Sequence, residues 1–198
     1  MNILFSPPSL DDLIRLLRAW RFWVLGALTG ILIGAVVYYI APPQYRARAI
    51  VNVDFNLEQA LPAETDRQHF YYLEREARKM VEIAWSDEVL AQLDAPIADL
   101  RGGKLNLSQP AEAGWRFYAD DNDPQVAASL ATAWADAFAV KVQAEIEAGN
   151  INEFTKLEVT RSADLPKERS VPLSIYLLMG ASGFLLIAVF VVLFIKPK

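Results

Sequence analysis

Two long uncharged runs dominate the hydrophobic pattern. Phe22 to Ala41 contains twenty residues and Leu173 to Ile195 twenty-three, neither with a charge. A bilayer core about 30 Å thick is crossed by roughly 20 helical residues, so each run predicts a transmembrane helix, over 22–41 and 173–195. The first run exceeds the apolar core of a cleavable leader, roughly 7–15 residues. Ala47-Arg48-Ala49, a small-x-small triplet, lies well beyond it, after Pro42 and Pro43. An uncleaved anchor is therefore expected.

Between the runs the pattern is that of a folded domain. Tyr45 to Phe55 alternates, with Tyr45, Ala47, Ala49, Val51, Val53 and Phe55 on one side, and predicts a half-buried strand. Thr65 to Ala84 reads as a helix with Glu74 and Arg78 paired at i, i+4, and Ser86 as the cap of a short helix through Leu93. Pro96 and Gly102-Gly103 are read as breaks. Strands are expected over 104–107 and 113–119. Asp123-Pro124 opens a helix over 124–147, with proline in the first turn where it is tolerated. A last strand is expected over 153–162. The order strand, helix, strand, strand, helix, strand predicts an α+β domain of the ferredoxin-like (split βαβ) kind over 42–172, with the first and last strands central and side by side. Trp115, Phe117, Trp134 and Phe138 are the candidate core aromatics, and only one of Trp115 and Phe117 is expected to face inward.

Charge orients the chain. Arg15, Arg18 and Arg21 precede the first run, and Lys196 and Lys198 follow the second. Basic flanks stay cytoplasmic, so 1–21 and the tail 196–198 are expected inside and the domain outside. Residues Ser9 to Trp20 read as an amphipathic helix lying on the inner lipid surface, capped by Ser9 and Asp12, with Leu10, Leu13, Ile14 and Leu17 on one face. The 42–172 segment carries 22 acidic and 14 basic residues, a surface unsuited to nucleic acid.

Candidate chemistry is sparse. Cysteine is absent and His69 is the single histidine, which excludes thiol chemistry and a histidine cluster; His69 reads as a surface residue. Asp120, Asp121 and Asp123 form the densest acidic cluster, read as a polar turn and a helix N-terminus. No phosphate-binding glycine loop, nucleophile elbow or zinc motif is present. The expectation is a non-enzyme with no cofactor and no metal. The spans hold a clearer signal: Gly26, Gly30 and Gly34 recur every four residues, and Gly180 and Gly183 lie in the second span. Small residues on one face of a membrane helix let another backbone approach, within one chain or between chains.

Several local patterns together resemble the polysaccharide co-polymerase (chain-length determinant, Wzz-like) family. They are Leu10-Asp11-Asp12-Leu13, Pro43-Gln44-Tyr45-Arg46-Ala47, Asp123-Pro124-Gln125-Val126-Ala127-Ala128, and Ala163-Asp164-Leu165-Pro166 followed by Val171-Pro172 and the glycines of the second span. The resemblance covers nearly the whole chain and implies a minimal member, without the long helical arm or a kinase domain. Arg169 stands where a middle proline is common, which implies a less rigid link over 163–172. In that link Ala163, Pro166 and Pro172 would couple domain to membrane. The implied role is a non-enzymatic homo-oligomeric scaffold in the bacterial inner membrane. It would assist polymerisation, chain-length control or export of a surface polysaccharide, alongside a polymerase or export protein. The alternative it implies is an activator of a separate cytoplasmic tyrosine kinase.

Overall fold

The computed structural model describes residues 14, 17–60, 66–108 and 114–194. In chain order the elements are helix α1 (Trp20–Ile40), strand β1 (Tyr45–Asp54), α2 (Leu57–Ala60), α3 (Asp66–Ala84), α4 (Asp87–Leu90) and α5 (Ile97–Asp99). There follow a wide turn over Leu100–Lys104, then β2 (Leu105–Ser108), β3 (Trp115–Asp121), α6 (Pro124–Glu147), β4 (Lys156–Arg161) and α7 (Leu173–Phe194). Two compact units result, one from the described parts of 1–43 and 171–198, the other from 44–170.

The 44–170 unit is mixed α+β with one four-stranded antiparallel sheet in the order β2-β3-β1-β4. The first and last strands are neighbours, as the order of elements suggested, but only β1 is central. β4 lies on the edge, its outer face carrying Lys156, Glu158 and Arg161. The four-residue β2 forms the other edge.

One face of the sheet makes the core. Ala47, Ala49 and Val51 of β1 are fully or nearly fully buried. Their small side chains leave room for the aromatics of α6, which packs across β1 and β3. Along α6 the buried positions are Ala127, Leu130, Ala131, Trp134, Ala135, Ala137, Phe138 and Val142, the spacing of a single helical face. The Trp134 ring meets Trp85 and Phe117 edge-on, at 5.0 and 4.9 Å between centroids. Its indole Nε1–H donates to the Ala84 carbonyl at 2.8 Å. That bond ties α6 to the end of α3 and satisfies a polar group in an apolar setting.

Trp115 and Phe117 are both buried, at 7% and 0% exposure. The expectation that one would face out miscounted the strand period: residues two apart lie on the same face. Several boundaries also moved: β2 spans 105–108 rather than 104–107, and the helix expected through Leu93 ends at Leu90. β3 runs to Asp121 rather than ending at 119, and β4 begins only at Lys156. Asn152 organises a turn before β4, its side chain accepting from Phe154 N–H and its carbonyl from Thr155 N–H. Pro96 does not simply break the chain but caps α5. Most of the expected surface helix over 9–20 lies outside the described residues, as do the starts expected at Thr65 and Ala113 and the tail at Lys196 and Lys198.

Replacing Trp134 by Ala removes the central ring of the core and leaves the Ala84 carbonyl without its donor. The variant is expected to lose about 3–5 kcal/mol of stability, read by chemical denaturation followed by circular dichroism.

Candidate functional site

In the unit formed by α1 and α7, the sequence places glycines where the two helices touch. A Cβ built on Gly30 would lie 2.2 Å from the Gly180 carbonyl oxygen, and one on Gly180 would lie 2.1 Å from that of Gly30. On Gly34 it would meet the Tyr176 oxygen at 2.3 Å, and on Gly26 the Phe184 oxygen and Ala188 Cβ at 3.2 Å. As the number rises along α1, the partner's falls along α7, so the helices pair antiparallel in four-residue steps. The pairing is within one chain. Tyr38 and Tyr176 extend it with an edge-to-face ring contact at 5.4 Å. Gly183 does not share this seam: nothing lies within 4 Å of its Cβ position. The seam on α7 runs through 176, 180, 184 and 188, and Gly183 is one residue out of phase.

Away from the seam both helices are apolar on their exposed sides, with Leu28, Leu32, Leu178, Met179, Leu186 and Phe190 all exposed. Both are long and apolar enough to cross a membrane.

In the 44–170 unit, the proline-containing link is fastened to the domain. Ala163 is half-buried against the core, and its N–H donates to Thr132 Oγ1 at 3.0 Å. The Ser170 N–H donates to the Gln44 carbonyl at 2.8 Å, and Tyr45 and Arg169 form an antiparallel bridge. The Arg169 guanidinium lies 4.8 Å from the centre of the Tyr45 ring, a cation–π contact. At the position where the resemblance implied lost rigidity, Arg169 therefore holds the link by backbone and side chain together. Pro166 is half-buried and Pro172 exposed.

The aspartate cluster is divided among separate partners. Asp120 takes a bidentate pair from Arg46, Nε to Oδ1 at 2.7 Å and Nη2 to Oδ2 at 2.6 Å. Asp121 accepts from Asp123 N–H at 3.0 Å and from Lys104 Nζ at 3.2 Å. Those bonds, the backbone one foremost, hold its carboxyl below the ordinary value. Asp123 caps α6, accepting from Gln125 N–H at 2.8 Å. His69 is half-buried on α3. Among the described residues no group of three or more His, Cys, Asp and Glu could hold a metal ion.

Sequence reading missed two features. Glu76 is buried, its Oε1 bonded at 3.1 Å to both Arg75 Nε and Lys79 Nζ. Lys79 in turn donates to the Asn150 carbonyl at 3.0 Å and so ties α3 to the turn after α6. The spacing of Tyr72, Glu76 and Met80 on one helix face was the available signal. The second is a cleft of about 500 Å³ beside these residues, lined in part by Glu88, Lys141 and Glu145. Lys141 pairs with Glu88 and with Glu145, the latter at 2.9 Å. The bond to Glu88 leads in raising the lysine pKa, while Lys141 and Asn150 hold Glu145 low. Lys141 thus bridges two carboxylates across the cleft.

No protein-family model matches the chain, and no curated protein sequence matches it.

Two outcomes follow from this geometry. Gly30→Leu forces the helices apart and is expected to lower the thermal midpoint of the full chain in mild detergent by several degrees, while Gly183→Leu leaves it unchanged. Gly30→Ala should also be harmful, since even one methyl meets backbone at 2.2 Å, an overpacking effect of about 1–3 kcal/mol. Because Asp121 is held low, the native state binds fewer protons there than the unfolded chain. Its contribution is complete above the unfolded pKa, about 3.9, and fades as pH falls through the folded value. Asp121→Asn should therefore flatten the stability profile below about pH 4, measured by denaturation at a series of pH values.

Proposed function

We propose that this chain is a minimal member of the polysaccharide co-polymerase family, a non-enzymatic membrane scaffold of several copies that assists polymerisation, chain-length control or export of a bacterial surface polysaccharide. On this reading α1 and α7 both cross the inner membrane, both termini are cytoplasmic, and the 44–170 domain is a ferredoxin-like (split βαβ) domain outside. The strand order β2-β3-β1-β4, with helices between β1 and β2 and between β3 and β4, supports that fold. Exposed Ile14, Leu17 and Trp20 suit a segment lying on lipid before the first span.

One observation carries the reading most directly. Gln44 and Ser170, the two ends of the domain, are hydrogen-bonded to each other, and each leads within a few residues into a long apolar helix. A domain whose two ends are tied together, each followed by a long apolar helix, suits a membrane-anchored scaffold.

The test has two parts. Reporter fusions should show residue 198 inside and the stretch after Ala60 outside; an external signal at the C-terminus rejects the two-span arrangement. Deleting the gene should then alter the amount or length distribution of surface polysaccharide on a gel, with the wild-type chain restoring it. An unchanged polysaccharide, with lost phosphorylation of a separate tyrosine kinase, would put the activator in its place.

A further inference from the structure

The sheet has a second face, opposite the helices, and its chemistry is unlike the rest of the domain. The 44–170 unit is acidic, with 22 Asp and Glu against 14 Lys and Arg. Alternation along β1 and β3 nevertheless turns Arg46, Arg48, Arg116 and Tyr118 onto this face, away from the buried Ala47, Ala49 and Phe117. A groove of about 370 Å³ opens there; among the described residues its lining holds Arg46, Arg48, Arg161 and Arg169 with Asp164 and Glu168 as acids, and Asp120 stands beside it on Arg46. Arg46 is held by Asp120 and Arg161 by Asp164. Arg169 lies against the Tyr45 ring. Among the described residues Arg48 and Arg116 have no ion pair, and Arg48 is exposed. Leu165, on the rim, is 55% exposed.

From this we infer that the arginine face of the sheet is a docking surface for the phosphate headgroups of anionic phospholipid, resting on the membrane-anchored reading above. Three observations select this occupant. The basic residues lining the groove are arginines, whose planar fork takes a phosphate through two parallel N–H···O bonds and keeps its charge at any physiological pH. Arg46 follows the last residue of α1 by six positions, and Arg169 precedes the first residue of α7 by four. The chain alone therefore keeps both within about 20 Å of a span end. An exposed leucine beside the guanidinium groups gives the rim an apolar element suited to the boundary between headgroup and acyl chain. On an acidic domain, such a face turns towards an anionic bilayer while the remaining surface is repelled from it. Each arginine at such a surface is worth about 1 kcal/mol, and the attraction is screened by salt.

The experiment uses the full chain in lipid nanodiscs, one set zwitterionic and one with 30% phosphatidylglycerol. Arginines are modified by phenylglyoxal, and the rate at each is read by peptide mass spectrometry. Arg78, exposed on α3 and paired with Glu74, serves as the reference. The expected result is at least threefold slower modification of Arg48 and Arg161 in the anionic discs, with Arg78 unchanged and the protection gone in 0.5 M salt. Equal rates in the two lipids overturn the inference. So does equal protection in zwitterionic discs by inorganic phosphate, which would mark a soluble-anion site, or by alginate, which would mark a site for an acidic glycan. A further comparison, Arg48→Glu, should restore fast modification at Arg161 in anionic discs; the salt response of the wild-type chain needs no variant. Incorporation of the chain into discs of either lipid reports on the anchor separately, so failure of the arginine face leaves the membrane reading standing, and failure to incorporate removes both.

Discussion

The closure at the base of the domain, Ser170 N–H to the Gln44 carbonyl with the Tyr45–Arg169 bridge beside it, is the constraint on which the 44–170 unit depends. A sheet whose first and last strands are neighbours returns the chain to its starting point without a long connection. The Ala163–Thr132 hydrogen bond fastens the departing segment to α6 before it leaves. Arg169 then stacks on Tyr45, where a third proline would have stiffened the backbone alone. Proline limits φ but makes no cross-chain contact; the arginine replaces a local restraint with a tertiary one.

The helix pair obeys a different rule. Where apolar side chains face an apolar solvent, hydrophobic burial no longer selects a partner, and contact depends on how closely two backbones approach. Gly30 and Gly180 bring carbonyl oxygens to the positions that methyl groups would otherwise fill. Since this glycine face is occupied by the chain's own second helix, it is not available to a neighbouring copy. On the membrane reading proposed above, any association of copies would have to use the exposed leucines and phenylalanines of the helix pair, or the 44–170 domain.

Much of this was legible in the sequence wherever one physical signal acted alone. Asp123-Pro124 and the alanine-rich stripe gave α6 its observed limits, and the two uncharged runs gave α1 and α7 within two residues. The glycine spacing pointed to close packing, but a count of glycines carries no phase, so Gly183 was grouped with a seam it does not join. The end of β3 was obscured because Asp120 and Asp121 look like turn residues until Arg46 and Lys104 are seen beside them in space. β4 was blurred for another reason: on an edge strand only Leu157 packs against the core, leaving little alternation to read. Long-range pairings such as Lys79 with the Asn150 carbonyl in the turn after α6, or Trp134 with Ala84, have no local signature at all.

The two edges of the sheet set a limit on how copies of this domain could be joined. A free strand edge is a template for another strand, and unprotected edges lead to open-ended addition. Here one edge is four residues long and the other bears Lys156, Glu158 and Arg161, so neither offers a long apolar ladder for a newcomer. Neighbouring domains are thereby steered away from a continuous intermolecular sheet and towards contacts between finished surfaces. Such contacts would form and separate without breaking backbone hydrogen bonds, so that any association of copies would leave each domain intact.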